Sequence, residues 1–102
     1  MRAELLKGHL DLLLLSVLAG EPLHGYAVIE ELRRRGGFEL PEGTVYPALH
    51  RLEADSLLES RWSSESGRRR RVYSLTRSGR RELAKRHDEW RAFSGAVGAV
   101  VS

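Results

Sequence analysis

The stretch Glu42–Asp55, EGTVYPALHRLEAD, decides how the rest of the chain is read. Val45, Ala48, Leu49 and Leu52 recur at helical spacing, so one apolar stripe packs on a core while Thr44, Tyr46, Pro47, His50 and Arg51 turn outward. A helix with a packing face and a mixed polar, aromatic and basic face is expected to be a recognition helix. Pro47 lacks an N–H and collides with the carbonyl four residues earlier in a regular helix interior. Two solutions stand open: Thr44 caps the helix and leaves Pro47 in its first turn, or the helix starts near Glu42 and bends. At the far end Ser56 occupies the place where a left-handed residue is usual, at a cost of about 1 kcal/mol for a residue other than glycine.

Immediately downstream, Leu57 to Ser64 and Arg70 to Thr76 are expected to form two strands joined by a turn at Ser66 and Gly67. Leu58 and Trp62 share one face of the first strand, and Arg71, Tyr73 and Leu75 share one face of the second. Trp62 and Tyr73 are expected to pack and hold the hairpin at its angle, leaving Arg68, Arg69 and Arg70 at the tip. There, guanidinium groups lie along a minor groove and neutralise phosphates. A helix followed at once by a basic hairpin is the layout of a winged helix.

Upstream, Leu5 to Ala19 is the most apolar segment, and a helix apolar on nearly all sides is expected to be buried on nearly all sides. Arg2 and Lys7 before an apolar run suggest a signal peptide, but Asp11 interrupts the run and no secreted pattern follows. The run is also shorter than the ~20 residues that span a bilayer. Gly20, Glu21 and Pro22 break the pattern. A second helix is expected from about His24 to Arg35, with Val28, Ile29 and Leu32 inward and Gly36 and Gly37 as its stop. His24, Gly25 and Tyr26 at its start form a turn and a core contact, or touch a phosphate through the free N–H groups there.

Thr76 is a candidate N-cap for a last helix that takes the remainder of the chain. Leu83, Trp90 and Val97 are spaced by seven, with Phe93 and Val100 between them, a short heptad seam suited to dimerisation. Gly95 and Gly98 weaken its last turns. The organisation expected is residues 1–76 as a winged helix-turn-helix DNA-binding domain and residues 77–102 as a C-terminal dimerisation helix. The fold class is mainly α with a small β-hairpin.

At 102 residues the chain suits one domain, which buries only about two-thirds of its unfolded surface, so burial between two copies would add stability. The net charge is +3, unevenly placed: Arg61 to Arg86 holds ten basic and two acidic residues, net +8, which leaves 3 − 8 = −5 on the rest. That asymmetry suits a polyanion on one side. With no cysteine there is neither a disulfide nor a thiolate metal site, and a reducing, cytoplasmic setting fits. The four histidines lack ligand spacing, and no nucleophile–base pair or phosphate-cradling glycine loop can be assembled, so neither an enzyme nor a cofactor is expected. The alternative class is a winged helix used for protein contacts without DNA.

Three segments, GHLDLLLLSVLAGEPLHGYAVIEEL, GTVYPALHRLEADSLLESRW and GRRRRVYSLTRSGRREL, together resemble the PadR family of transcriptional regulators in the form with a short C-terminal helix. The likeness runs from about Leu5 to Leu83, and GTVYPALHRLE followed by RRRVYSLT is more specific than either block alone. Pro41 stands where the family often has a capping serine, and Ser56 where glycine is usual. The resemblance implies a repressor that binds a (pseudo)palindromic operator in double-stranded DNA as a homodimer assembled through its first and last helices. DNA-facing residues would be Thr44, Tyr46, Pro47, His50 and Arg51 on the helix and Arg68, Arg69 and Arg70 on the wing. The dimer interface would draw on Leu12, Leu13, Leu83, Trp90, Phe93, Val97 and Val100. Some members of the family sense phenolic acids or drugs at that interface; a small aromatic effector here would meet Trp90 and Phe93. No membrane partner is implied.

Overall fold

A computed structural model of the chain describes Leu6, residues 8–65 and residues 67–102. Its elements run α1 (Leu10–Gly20), β1 (Leu23–His24), α2 (Gly25–Gly36), α3 (Glu42–Ala54), β2 (Leu58–Ser63), β3 (Arg70–Leu75) and α4 (Arg77–Val101). The expected start of the first helix at Leu5, the basic residues Arg2 and Lys7, and the Ser66 half of the hairpin turn lie outside the described residues. Gly67, the other half of that turn, has φ 80°.

The apolar periodicities become one core. Leu14, Leu15 and Leu18 of α1 meet Val28 and Leu32 of α2 and Val45, Leu49 and Leu52 of α3, closed from the sheet by Leu58, Tyr73 and Leu75. Each such side chain, fully buried, stabilises the fold by about 1.5–3 kcal/mol before entropic costs are counted. The α1 helix is not buried all round as expected. Leu10, Leu12 and Leu13 in its first turns stay partly exposed.

The recognition-helix candidate takes the second of its two possible starts. It begins at Glu42, with Pro41 as N-cap, and the Pro41 carbonyl accepts from the N–H groups of Thr44 (3.0 Å) and Val45 (3.2 Å). Pro47 therefore lies inside the helix. At the other end Ser56 has φ 62°, and the N–H groups of Ser56 and Leu57 reach back to the carbonyls of Glu53 (2.9 Å) and Leu52 (3.0 Å). Those two bonds satisfy orphan carbonyls and offset the left-handed strain of a serine.

The hairpin is one strand richer than expected. Leu23 and His24 pair antiparallel with Tyr73 and Val72, giving a three-stranded sheet in the order β1-β3-β2. A two-residue strand before a helix carries no alternation to detect, so only the pairing reveals it. In the β2–β3 ladder Leu58, Ser60 and Trp62 stand opposite Leu75, Tyr73 and Arg71. Opposed residues share a face, and this face is the one that packs on the helices.

Thr76 caps α4 as expected: its hydroxyl accepts from the N–H of Gly79 (2.9 Å) and donates to the carbonyl of Ser56 (2.6 Å). Gly79 is buried, and a Cβ there would overlap the carbonyl oxygen of Leu57. The absence of a side chain lets the start of α4 lie directly on the loop after the recognition helix. Gly79 is also the only buried residue of the 25-residue α4. Its distal half carries Trp90, Phe93, Val97 and Val100, which are 41%, 57%, 41% and 85% exposed. No described helix is long and apolar enough to cross a membrane.

Candidate nucleic-acid interface

A groove of about 520 Å³ runs between the start of α2, the first half of α3 and the inner side of the hairpin. His24, Tyr26, Tyr46 and His50 line one side of it, and Arg68, Arg70 and Arg71 the other. The structure thus brings the exposed face of α3 and the arginines of the hairpin to one opening.

Of the helix residues singled out in the sequence, Pro47 and His50 are exposed and Thr44 is half-buried. Tyr46 does not simply turn outward. Its ring lies where a side chain at Gly25 would be, and burial, with Glu42 nearby, raises its phenol pKa above the ordinary value. Tyr46 thus locks α3 against the start of α2 and offers the groove only part of its ring. Arg51 departs further from expectation. Its guanidinium grips Asp11 of α1 through two bonds, of 3.0 Å and 2.5 Å, so the side chain leans back toward α1 although half of it remains exposed.

The wing arginines also have company that the sequence did not disclose. Arg69 stacks over the ring of Trp62, 4.4 Å from its centroid, and Arg71 lies 5.3 Å from the same ring. Trp62 is 52% exposed, so of the two aromatic residues expected to pack only Tyr73 does so. The Trp62 indole holds the two guanidinium groups by cation–π attraction instead of filling a core. Arg71 is tied further to Ser60 (2.8 Å) and Glu53 (3.7 Å). Arg70 is half-buried at the first position of β3, its guanidinium 2.7 Å from Nε2 of His24.

His24 resolves the choice between turn residue and ligand contact by its geometry. Its Nδ1 accepts from the N–H of Ala27 (3.3 Å) and caps α2. A neutral imidazole accepts at one nitrogen only, so the cap and the Arg70 contact compete for a single lone pair. Burial, and then the positive charge of Arg70, lower the His24 pKa and keep the ring neutral. Arg70 therefore shares the His24 lone pair with the Ala27 cap.

Charge placement separates the wing from the other arginine run. On α2, Arg33 pairs with Glu30 and both Arg34 and Arg35 pair with Glu31, each at 2.7 Å, so every arginine of that run has a carboxylate partner and the five groups keep a net charge of 3 − 2 = +1. Among the described residues Arg68, Arg69 and Arg70 have no carboxylate partner. On α4, Trp90 meets His9 edge-on (5.3 Å) and approaches Phe93 (6.4 Å). A hollow of about 210 Å³ between Gly8, His9 and Leu12 of the α1 end and Arg86, Glu89, Trp90 and Phe93 of α4 adjoins them. Among the described residues no three acidic or histidine side chains converge as a metal site.

Known proteins share this architecture and sequence. The profile described as the transcriptional regulator PadR-like family matches residues 14–85. The transcriptional regulator Rv3488 of Mycobacterium tuberculosis is 46% identical over 67 residues, 66% of this chain, and the match spans 62% of that regulator's length. A PadR family transcription regulator from Clostridium difficile superposes with a TM-score of 0.83 at 35% identity, over 90% of this chain and 97% of its own. A PadR-like transcriptional regulator from Bacillus cereus does so with a TM-score of 0.90 at 28% identity, over 98% of both chains.

Proposed function

The chain belongs to the PadR-like family of transcriptional regulators, a family of regulators and not of enzymes, and from that premise we propose that it binds a (pseudo)palindromic operator in double-stranded DNA as a homodimer and represses transcription there. The observation that carries this reading is the meeting of two features at one groove: Tyr46 and His50 of α3, and Arg68 and Arg70, which have no carboxylate partner among the described residues. In this reading Thr44, Pro47, His50 and the exposed edge of Tyr46 enter the major groove, where side chains read base edges. Arg68, Arg69 and Arg70 follow the adjacent phosphates and minor groove. Arg51 stands beside them with its guanidinium turned to Asp11.

Homodimerisation is supported by the apolar stripe of α4. Trp90, Phe93, Val97 and Val100 recur at spacings of three and four, too much exposed apolar surface for a lone helix in water. Leu12 and Leu13, partly exposed on α1, extend that surface, and Leu83 anchors the stripe at the core. Residues 1–76 then form the DNA-binding unit and residues 77–102 the dimerisation helix. A second copy would close the hollow beside Trp90 and Phe93, and a small aromatic effector would bind there. Repression is the outcome expected of a small dimer that occupies its operator and excludes other proteins from it.

Selection from a pool of randomised duplexes tests the reading. The wild-type chain is expected to enrich a palindrome, and His50→Ala to relax discrimination at one position of each half-site by about 1–3 kcal/mol. Binding of no duplex, or binding of a protein partner that persists at high salt, would assign the winged helix to protein contacts instead.

A further inference from the structure

Three helices meet on one carboxylate. Asp11 in the first turn of α1 accepts both Arg51 bonds from α3, and Arg86 of α4 stands 3.6 Å from its Oδ2. Arg86 is itself held along α4 by Glu82 at 2.6 Å. The Asp11 side chain is 14% exposed, whereas both guanidinium groups keep contact with water. The packing around it makes this junction mechanically important, because α1 packs against both α3 and α4, while direct packing of α3 on α4 is slight. The angle between the two therefore depends on α1 as well as on the seating of Gly79 against Leu57, and Asp11 is where an ion pair reaches each helix.

We propose that Asp11 is a positioning residue for operator recognition: it fixes the angle of α3 relative to the helix that carries the dimer, and Arg51 acts through Asp11 and not on a base edge. The inference rests on the reading of α3 as the DNA-facing helix and α4 as the dimer helix. In a dimer on a palindrome, the two copies of α3 must match half-sites about one helical turn apart, so a spacer changed by one base pair moves a half-site by about 3.4 Å and about 35° around the axis. A dimer whose α3 and α4 are tied at a fixed angle rejects such a site, and one with that tie cut follows it. The plain alternative is that Asp11 only complements the dipole at the start of α1, which would favour α1 itself and leave the α3–α4 angle unchanged.

The experiment uses the full chain and a palindrome selected from randomised duplexes, together with versions whose spacer is one base pair longer or shorter. Affinities, salt slopes and melting are measured for the wild type, Asp11→Asn, Arg51→Gln, Arg86→Gln and the Asp11→Asn/Arg51→Gln pair. Asp11→Asn is expected to reduce the preference for the native spacing about tenfold, Arg51→Gln to do the same, and the pair to do no more, as members of one interaction couple. Base preferences within the half-site and the salt slope should persist, results that general destabilisation would not produce. Two results overturn the inference: an Asp11→Asn protein that keeps the wild-type spacing preference, or an Arg51→Gln protein that changes preference at a base position left intact by Asp11→Asn. Should Asp11→Asn fail to melt cooperatively, Arg86→Gln decides, since it cuts the α4 arm, with the Glu82 pair along α4, and leaves the Arg51–Asp11 bonds in place; spacing preference then falls or the inference does. A wild-type chain that enriches no duplex removes the DNA-binding reading, and this inference with it.

Discussion

Replacing Arg69 and Arg70 together by alanine probes the charge on the wing most directly. Each subunit loses two guanidinium groups that no carboxylate neutralises among the described residues, so a dimer loses four. If each neutralises one phosphate, the slope of log affinity against log salt flattens by about 0.9 per contact, or about 3.6 in all. Between ~200 mM and ~50 mM salt, the wild type should then gain about 150-fold more affinity than the variant. The fold should hardly notice. Arg69 gives up its stack on a half-exposed Trp62, about 0.5–1 kcal/mol, and loss of Arg70 leaves the His24 lone pair wholly to the Ala27 cap. Fluorescence anisotropy across a salt series, with thermal melting beside it, reads both quantities. A variant that melts normally and keeps the wild-type slope would mean that these arginines are a solvated surface, and the placement of DNA on the wing would be refuted.

Ending the chain after Arg86 removes Trp90, Phe93, Val97 and Val100, each worth about 1.5–3 kcal/mol if fully buried in a dimer; sedimentation should show monomer or aggregate, and an unchanged dimer would give the interface to α1 alone. Gly79→Ala should destabilise by about 1–3 kcal/mol through overpacking against the Leu57 carbonyl, measured by denaturant unfolding; a wild-type midpoint would show that the start of α4 lifts away at no cost. The third concerns pH. The His24 pKa is lowered in the fold, so the unfolded chain takes up the proton first as pH drops below about 6.5, and stability falls with pH from there down toward the folded value. His24→Asn keeps an N-capping side chain without that titration, so its melting temperature should vary less with pH over this window; an unchanged profile would assign the effect to another group.

Much of the fold was legible because it depends on patterns local in the chain. The stripe Val45, Ala48, Leu49, Leu52 defines the packing face of α3 whatever it packs on, and all four residues are buried. Ser56 and Thr76 announce the end of one helix and the start of another through backbone demands that hold in any fold. The candidate site was legible as a set of residues and much less as a set of contacts. Trp62 has the character of an anchor, yet it stays exposed and meets Arg69 and Arg71 instead of the core.

The sequence by itself determined the helices, the wing, the apolar seam of α4 and the excess of positive charge from Arg61 to Arg86, since periodicity, caps and charge counts are properties of neighbours in the chain. Tertiary structure alone decided what each charge does. Arg51 lies 40 residues from Asp11, and Arg70 lies 46 from His24. No local pattern encodes such separations, because an ion pair depends on where two helices cross and not on the spacing within either. The same arginine-rich composition thus divides into groups paired with carboxylates, on α2, at Asp11 and at Glu53, and three on the wing, Arg68, Arg69 and Arg70, without such a partner among the described residues.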